Sequence, residues 1–335
     1  MCMTFKLPTA VDGTVVAARS MEFPMGMPTQ LAVLPRDHAG SSDTGGGGRG
    51  ATWSATHGIV GMGVFGHAGW LVDGLNDVGV SAHLLYMPGG YCTYRMPKGD
   101  GTDVAQVDLI AYLLGTCASI AEVKAAVEAV NVVGLDPGMG FVPPVHCLVH
   151  DPSGSLAIEF HPEVTKVVDN PVGVATNAPF LDWHLINLGN YLGVSSENPP
   201  DETVGGLALS TPGQGEGLRG IPADFTPTAR FIRLFSLLQL VDQAKDADEA
   251  EQLALHLCNA FDIPAGVVKE PMGGHLVPEV TVWDSVLNLT TPRYAYRMIG
   301  NPEAYVVDLA SVDFTTPARL QDLPWTGGFT PVAVR

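Results

Sequence analysis

At 335 residues, 46% hydrophobic and 16% charged, the chain has the composition of one large folded domain or two ordinary ones. Its formal net charge of −18 would repel phosphates, which argues against nucleic acid and anionic membrane surfaces as partners. No apolar run approaches the ~18–20 residues of a spanning helix, no basic segment leads into an apolar stretch, and Cys2, Cys92, Cys117, Cys147 and Cys258 form no CxxC, so the expectation is a cytoplasmic protein with reduced thiols and no metal signature.

Asp12-Gly13 lies between two β-rich runs and predicts a hairpin of residues 1–6 with 15–23. Cys2 directly follows the initiator Met and is small enough for Met1 to be removed. The mature chain would then begin with a residue carrying both a thiol and an α-amine. That amine has a reference pKa of ~7.7–8.0, so part of it can accept a proton at neutral pH. One residue then supplies both nucleophile and base. The hairpin returns Arg19 and Glu22 towards the chain start, where a guanidinium favours a thiolate and a carboxylate can hold an ammonium. The plain alternative is a buried or fraying terminal cysteine.

Further along, residues 40–50 contain a dense glycine run, expected to be a mobile loop. No Lys-Ser or Lys-Thr follows it, so it is not a phosphate loop. Residues 59–64 and 70–86 read as strands, with a turn at Asp73-Gly74-Leu75-Asn76-Asp77 and a stop at Pro88-Gly89-Gly90. Two helices follow. The first, 102–114, is drawn from the spacing of Val104, Val107, Ile110 and Leu114; the second begins at the cap Ser119 with Glu122 three residues on.

Strands are expected at 145–150, 155–160, 165–168 and 172–176, and a helix at 181–192. A Gly/Pro-rich loop at 198–225 precedes helices at 228–241 and 247–261. Strands at 279–287, 293–298 and 304–309 close the chain. Hairpin-paired strands with helices grouped between them predict an α+β fold. A four-layer αββα sandwich buries both faces of two antiparallel sheets. No linker divides residues 2–335, which read as one domain.

Five segments occur in a telling order: Met1-Cys2-Met3-Thr4-Phe5; Arg19 with an acidic residue three on; Asp73-Gly74-Leu75-Asn76; Ala175-Thr176-Asn177-Ala178-Pro179-Phe180-Leu181-Asp182-Trp183-His184-Leu185; and the stretch 220–233 containing Arg230 and Arg233. Together they resemble the choloylglycine hydrolases, the family of bile salt hydrolases and penicillin V acylases within the N-terminal nucleophile hydrolases. The resemblance implies an αββα sandwich, often assembled as a homotetramer, that cleaves linear amides without metal or cofactor. It further implies Cys2 as nucleophile, Arg19 beside the thiol, Glu22 holding the α-amine, Asn177 donating to the oxyanion and Arg230 completing the site. Leu85 is assigned the second, backbone oxyanion donor. The family usually has Asp where this chain has Glu22; at Leu85 bile salt hydrolases tend to have Asn and penicillin acylases Tyr.

The chemistry expected is amide hydrolysis through a thioester, with Met21, Phe23, Met25, Met27, Phe65 and Tyr86 as an acyl or aryl pocket. Candidate substrates are conjugated bile salts, phenoxyacetyl penicillins, N-acyl homoserine lactones and other N-acyl amino acids. An acyltransferase using the same thioester and a non-catalytic ligand-binding relative are the alternatives. Read without the family, Asn177 forms an Asx turn, Asp73 and Asn76 are turn residues, and Asp182-Trp183-His184 is a capping and packing cluster. His57, His67 and His83 have no metal-ligand spacing.

Overall fold

The computed structural model describes residues 1–24, 27–45, 48–272 and 274–328. The initial hairpin forms as expected. Strand Cys2–Lys6 pairs antiparallel with Val16–Pro24, setting Cys2 opposite Met21 and Thr4 opposite Arg19. These two strands lie inside a seven-stranded sheet. Val174–Ala175 borders the first of them, and His275–Asn288 borders the second. Arg293–Met298 and Ala304–Asp308 continue the sheet, and Val268–Met272 also pairs with His275–Asn288.

A second sheet has eight strands. Its order is Thr165–Asp169, Gly154–Phe160, Val145–Asp151, Ser81–Tyr86, His67–Asn76, Ile59–Val64, Thr29–Leu34 and Arg319–Gln321. Helices α1 (Leu109–Thr116) and α2 (Ile120–Ala129) cover its outer face. The helix α3 (Leu181–Asn187) follows the site segment, while α4 (Pro227–Leu240) and α5 (Ala247–Asn259) cover the first sheet. The layers run helix, sheet, sheet, helix, as the hairpin pattern predicts.

Ser119 caps its helix as expected, and two further caps were not anticipated. Ser119, Thr226 and Asp246 each accept a backbone N–H three residues on. Two local expectations are corrected, and one strand was missed. Residues 100–105 form a strand, not the start of a helix, pairing in parallel with Asn131–Val133 and Arg49–Gly50. Asp103 in that strand is buried and takes hydrogen bonds from Asn131, Lys98 and Gly99, which fixes it to its neighbours. Strand Thr29–Leu34 was not anticipated.

The turn placed at residues 73–77 falls later, because His67–Asn76 is continuous strand and Asp77–Gly79 make the bend. Asn76 is buried, and its amide caps the end of α1 through Leu114 O and Cys117 O. The glycine-rich stretch is pinned on both sides. Ala39–Ser41 pairs with Thr52–Ser54, and buried Ser42 donates to Asp108 at 2.7 Å.

Candidate active site

Cys2 is 2% exposed. Its Sγ lies 3.7 Å from Met21 Sδ and 4.0 Å from Glu22 O. The position follows from the register, because side chains directly opposite on an antiparallel pair share a face. Cys2, Thr4, Arg19 and Met21 therefore turn towards the second sheet.

Asn177 lies just beyond Val174–Ala175, the strand that borders Cys2–Lys6. Its Oδ1 accepts the Cys2 backbone N–H at 3.1 Å, and its Nδ2 donates to Tyr86 O at 2.5 Å. Arg230, in the first turn of α4, is 1% exposed. It donates to Cys2 O at 2.8 Å, Asn177 Oδ1 at 2.5 Å and Phe225 O at 3.0 Å. A guanidinium fork spanning two such acceptors fixes both. Three residues separated by up to 228 positions are thus locked together.

Two histidines that the sequence reading did not assign to the site hold the Asn177 segment. His146 Nε2 lies 3.0 Å from Thr176 O, and His184 Nε2 lies 3.3 Å from Asn177 O. Each carbonyl accepts, so each ring presents Nε2–H. Burial pushes both down to about 4, which keeps the rings neutral. His184 stacks on Phe231 with centroids 4.3 Å apart, a packing role and not a base. Thr176 Oγ1 anchors the same segment to Pro227 O.

Arg19 is fully buried and stands behind Met21. It donates to Val72 O at 2.6 Å and Met21 Sδ at 3.0 Å, and lies 5.0 Å over the Trp283 ring. The Met21 sulfur thus sits between guanidinium and thiol. Asp73, read as a turn residue, is buried close to Arg19. It accepts Ser285 and Tyr294 hydroxyls, each at 2.6 Å. Burial raises its carboxyl above the ordinary value, with Arg19 pulling the other way.

Met1 continues the ladder opposite Glu22. Glu22 N donates to Met1 O and Met1 N donates to Glu22 O, both at 2.9 Å. The Met1 ammonium also pairs with Glu279. Burial lowers its pKa. Glu22 is buried; its Oε1 accepts Thr281 at 3.3 Å, and its Oε2 has no hydrogen-bond partner among the described residues.

Two cavities adjoin along Phe23, Tyr86, Met139 and Phe141, and the narrower one reaches Cys2. A narrow one of about 90 Å³ is lined by Met21, Phe23, Met27, Phe65, Tyr86 and other mostly apolar residues. A wider one of about 530 Å³ is lined by Met1, Phe23, Tyr86, Asn177, Glu270 and Glu279 among others. Of the pocket expected from sequence, Met21, Phe23, Met27, Phe65 and Tyr86 come together; Met25 lies outside the described residues.

Leu85 is corrected. Its side chain is buried in the core between the sheets and lines neither cavity. The adjacent Tyr86 lines both and receives the Asn177 amide. A shift of one residue along a strand exchanges faces, so the side chain that faces the cavities is that of Tyr86.

Two stacked antiparallel sheets sandwiched by helices, with a buried thiol at the second residue on a strand inside one of them, are the N-terminal nucleophile hydrolase fold. Residues 2–322 match the model of the linear amide C–N hydrolases, choloylglycine hydrolase family, and the chain belongs to that family. It is 28% identical over 318 residues to a bile salt hydrolase/transferase of Clostridium perfringens, covering 92% of each chain. A solved conjugated bile acid hydrolase variant from Clostridium perfringens superposes with a TM-score of 0.87 at 24% identity, over 99% of this chain and 100% of that one. A penicillin V acylase from Agrobacterium tumefaciens gives 0.77 at 18% identity, over 96% and 91%. The protein is a hydrolase of carbon–nitrogen bonds in linear amides. Among the described residues no helix is long and apolar enough to cross a membrane.

Proposed function

We propose that this amidohydrolase works through Cys2 after loss of Met1, on an N-acyl compound whose acyl group enters the apolar cavity. The observation that carries this reading is the triple lock of Cys2, Asn177 and Arg230. Sγ attacks the amide carbonyl, its proton passing to the α-amine as the S–C bond forms. The carbonyl electrons move onto oxygen. Nδ2 of Asn177 has two N–H groups and spends one on Tyr86 O, which leaves one for the oxyanion.

Collapse breaks the C–N bond, and the α-ammonium returns the proton to the leaving nitrogen. Water then attacks the thioester, the same amine taking its proton, and the acid departs as sulfur is reprotonated. Arg230 keeps Asn177 and Cys2 in register, and Arg19 holds Met21 against the thiol. Glu22, whose carboxylate opposes the burial that lowers the Met1 ammonium, is the carboxylate assigned to the Cys2 ammonium.

The substrate class is an acyl amide of the kind named for the relatives, with bile acid or phenoxyacetyl acyl groups as the first candidates. The protein works in the cytoplasm with its cysteines reduced. It assembles as a homo-oligomer, a tetramer by resemblance, with the exposed hairpin of Glu202–Val204 and Leu207–Leu209 as a contact surface; Val204 and Leu207 are 59% and 63% exposed. Light scattering on a size-exclusion column reads that state.

The test of the reaction is amine release from glycocholate, taurocholate, phenoxymethylpenicillin and an N-acyl homoserine lactone, with Cys2→Ala alongside. Release that vanishes in the variant supports the mechanism. Release that persists overturns it.

A further inference from the structure

The two adjoining cavities differ in charge. The narrow one is lined by apolar side chains with Tyr86 and Gln106, which suits an acyl group. The wider one carries Glu270 and Glu279 and, among the described residues lining it, no Lys or Arg. Arg230 lies nearby but is buried and spends its donors on Cys2 O, Asn177 and Phe225 O.

Glu279 is 4% exposed, and its cation is the Met1 ammonium. Met1 also satisfies the backbone N–H and C=O of Glu22. Loss of Met1 removes all three interactions together. It leaves a buried carboxylate without a cation, beside a free backbone donor and a free backbone acceptor, in a cavity that reaches Asn177 and adjoins the one lined by Cys2. A buried charge left without its partner is costly. The chain's own first residue is therefore a stand-in for what belongs there: an ammonium on a short, amide-like stem.

Resting on the reading of Cys2 as nucleophile, we infer that the wider cavity is a leaving-amine subsite for cationic amines. Its substrates are N-acyl diamines or other amides whose amine portion carries a second, protonated nitrogen. Glu279 anchors that ammonium, the backbone of Glu22 orients its stem, and Glu270 adds negative charge at the rim. Leaving amines that end in a carboxylate or sulfonate meet two glutamates and are disfavoured. The acidity of the whole surface, −18, biases the approach of cations over many residues; the anchoring described here belongs to one.

The test uses mature protein, its lack of Met1 verified by mass, and three phenoxyacetyl amides: of 1,3-diaminopropane, of propylamine and of β-alanine. The specificity ratio, kcat/KM for the diamine amide over that for the β-alanine amide, is measured in wild type, Glu279→Gln and Glu270→Gln. The expected wild-type ratio is on the order of 10–100, falling roughly tenfold in Glu279→Gln and about two- to threefold at the exposed rim in Glu270→Gln.

A wild-type ratio near one overturns the proposal, as does a ratio that survives Glu279→Gln. Equal slowing of all three amides by Glu279→Gln also overturns it, because Glu279 then serves the Cys2 amine instead of the substrate. Failure to cleave even the propylamine amide counts against Cys2 as nucleophile, not against the subsite. Calorimetry of the same amides with the mature protein then decides the subsite: roughly tenfold tighter binding of the diamine amide supports it, and equal binding overturns it.

Discussion

The two faces of the eight-stranded sheet are built from opposite kinds of interior. Towards α1 and α2 the layer is dry: Ile110, Leu113, Leu114, Val123, Val127, Val149 and Ile158 pack together. Towards the first sheet, buried apolar residues such as Met62, Leu85 and Leu148 share the space with Arg19, Asp73, His83, His150, Ser285 and Tyr294. Those polar groups are partnered in a chain. Tyr294 and Ser285 donate to Asp73, while Thr4 donates to Ala18 O and contacts His150 at 3.2 Å. Burial of hydrogen-bonding groups is tolerated when partners are fixed. The dry face contributes stability; the polar face holds the strand that carries the thiol.

That contrast can be broken by single changes. Asn177→Ala should lower kcat by ~10²–10³, the usual cost of one oxyanion donor, and stability by roughly 1–3 kcal/mol, because buried Arg230 loses an acceptor; steady-state kinetics and a thermal melt read both. On the dry face, Leu113→Ala should cost about 2–5 kcal/mol in denaturant unfolding and leave kcat within about twofold. Equal damage to kcat by Leu113→Ala would erase the distinction between the faces. Asp73→Asn should do some of each. Two hydroxyls lose a charged acceptor, an effect of roughly 1–3 kcal/mol, and Arg19 loses its nearby carboxylate, so kcat falls along with stability.

The smallest effect is a slope with pH. His146 and His184 at about 4, and His150 at about 3, are all held down first by burial. Above pH 6.5 they are neutral folded or unfolded and contribute no pH dependence. Below 6.5 the unfolded chain gains protons that the folded one refuses, so stability falls towards pH 4 by about 1.4 kcal/mol per unit for each histidine. Burial raises Asp108 to about 6 and Asp284 to about 7. Their effect is opposite, because the folded state takes up protons first. His83, also held down by burial, adds to the loss, and Asp73, raised by burial, subtracts from it. Replacing His146 and His184 together with Asn should make the fall in stability below pH 6 less steep by roughly 2–3 kcal/mol per unit, as read by urea unfolding at several pH values.

Much of this was legible in the residues themselves. The Asp12-Gly13 turn, the Ser119 cap and the α4 and α5 periodicities have local causes, and the chain obeys them. Cys2 was legible because few roles require a thiol at the second position. Asn177 was assigned by the order of motifs; alone it reads as a turn.

What stayed hidden was tertiary. Val104, Val107, Ile110 and Leu114 fit a helix by spacing, yet the first of them lies in a strand held by buried Asp103. Leu85 and Tyr86 are neighbours in an apolar run, and only the pairing of Tyr86 with Val145 and Leu85 with His146 shows which faces the site. His146 and Glu279 look like ordinary strand residues; their roles come from Thr176 O and the Met1 ammonium, 30 and 278 positions away.

The most direct measurement is the intact mass of the protein, free and after rapid acid quench during turnover of an N-acyl amide. The account predicts a chain lacking Met1, with a transient acyl adduct on Cys2 that hydroxylamine removes and that Cys2→Ala never forms. Full turnover by a chain that retains Met1, or an adduct on another residue, would contradict it.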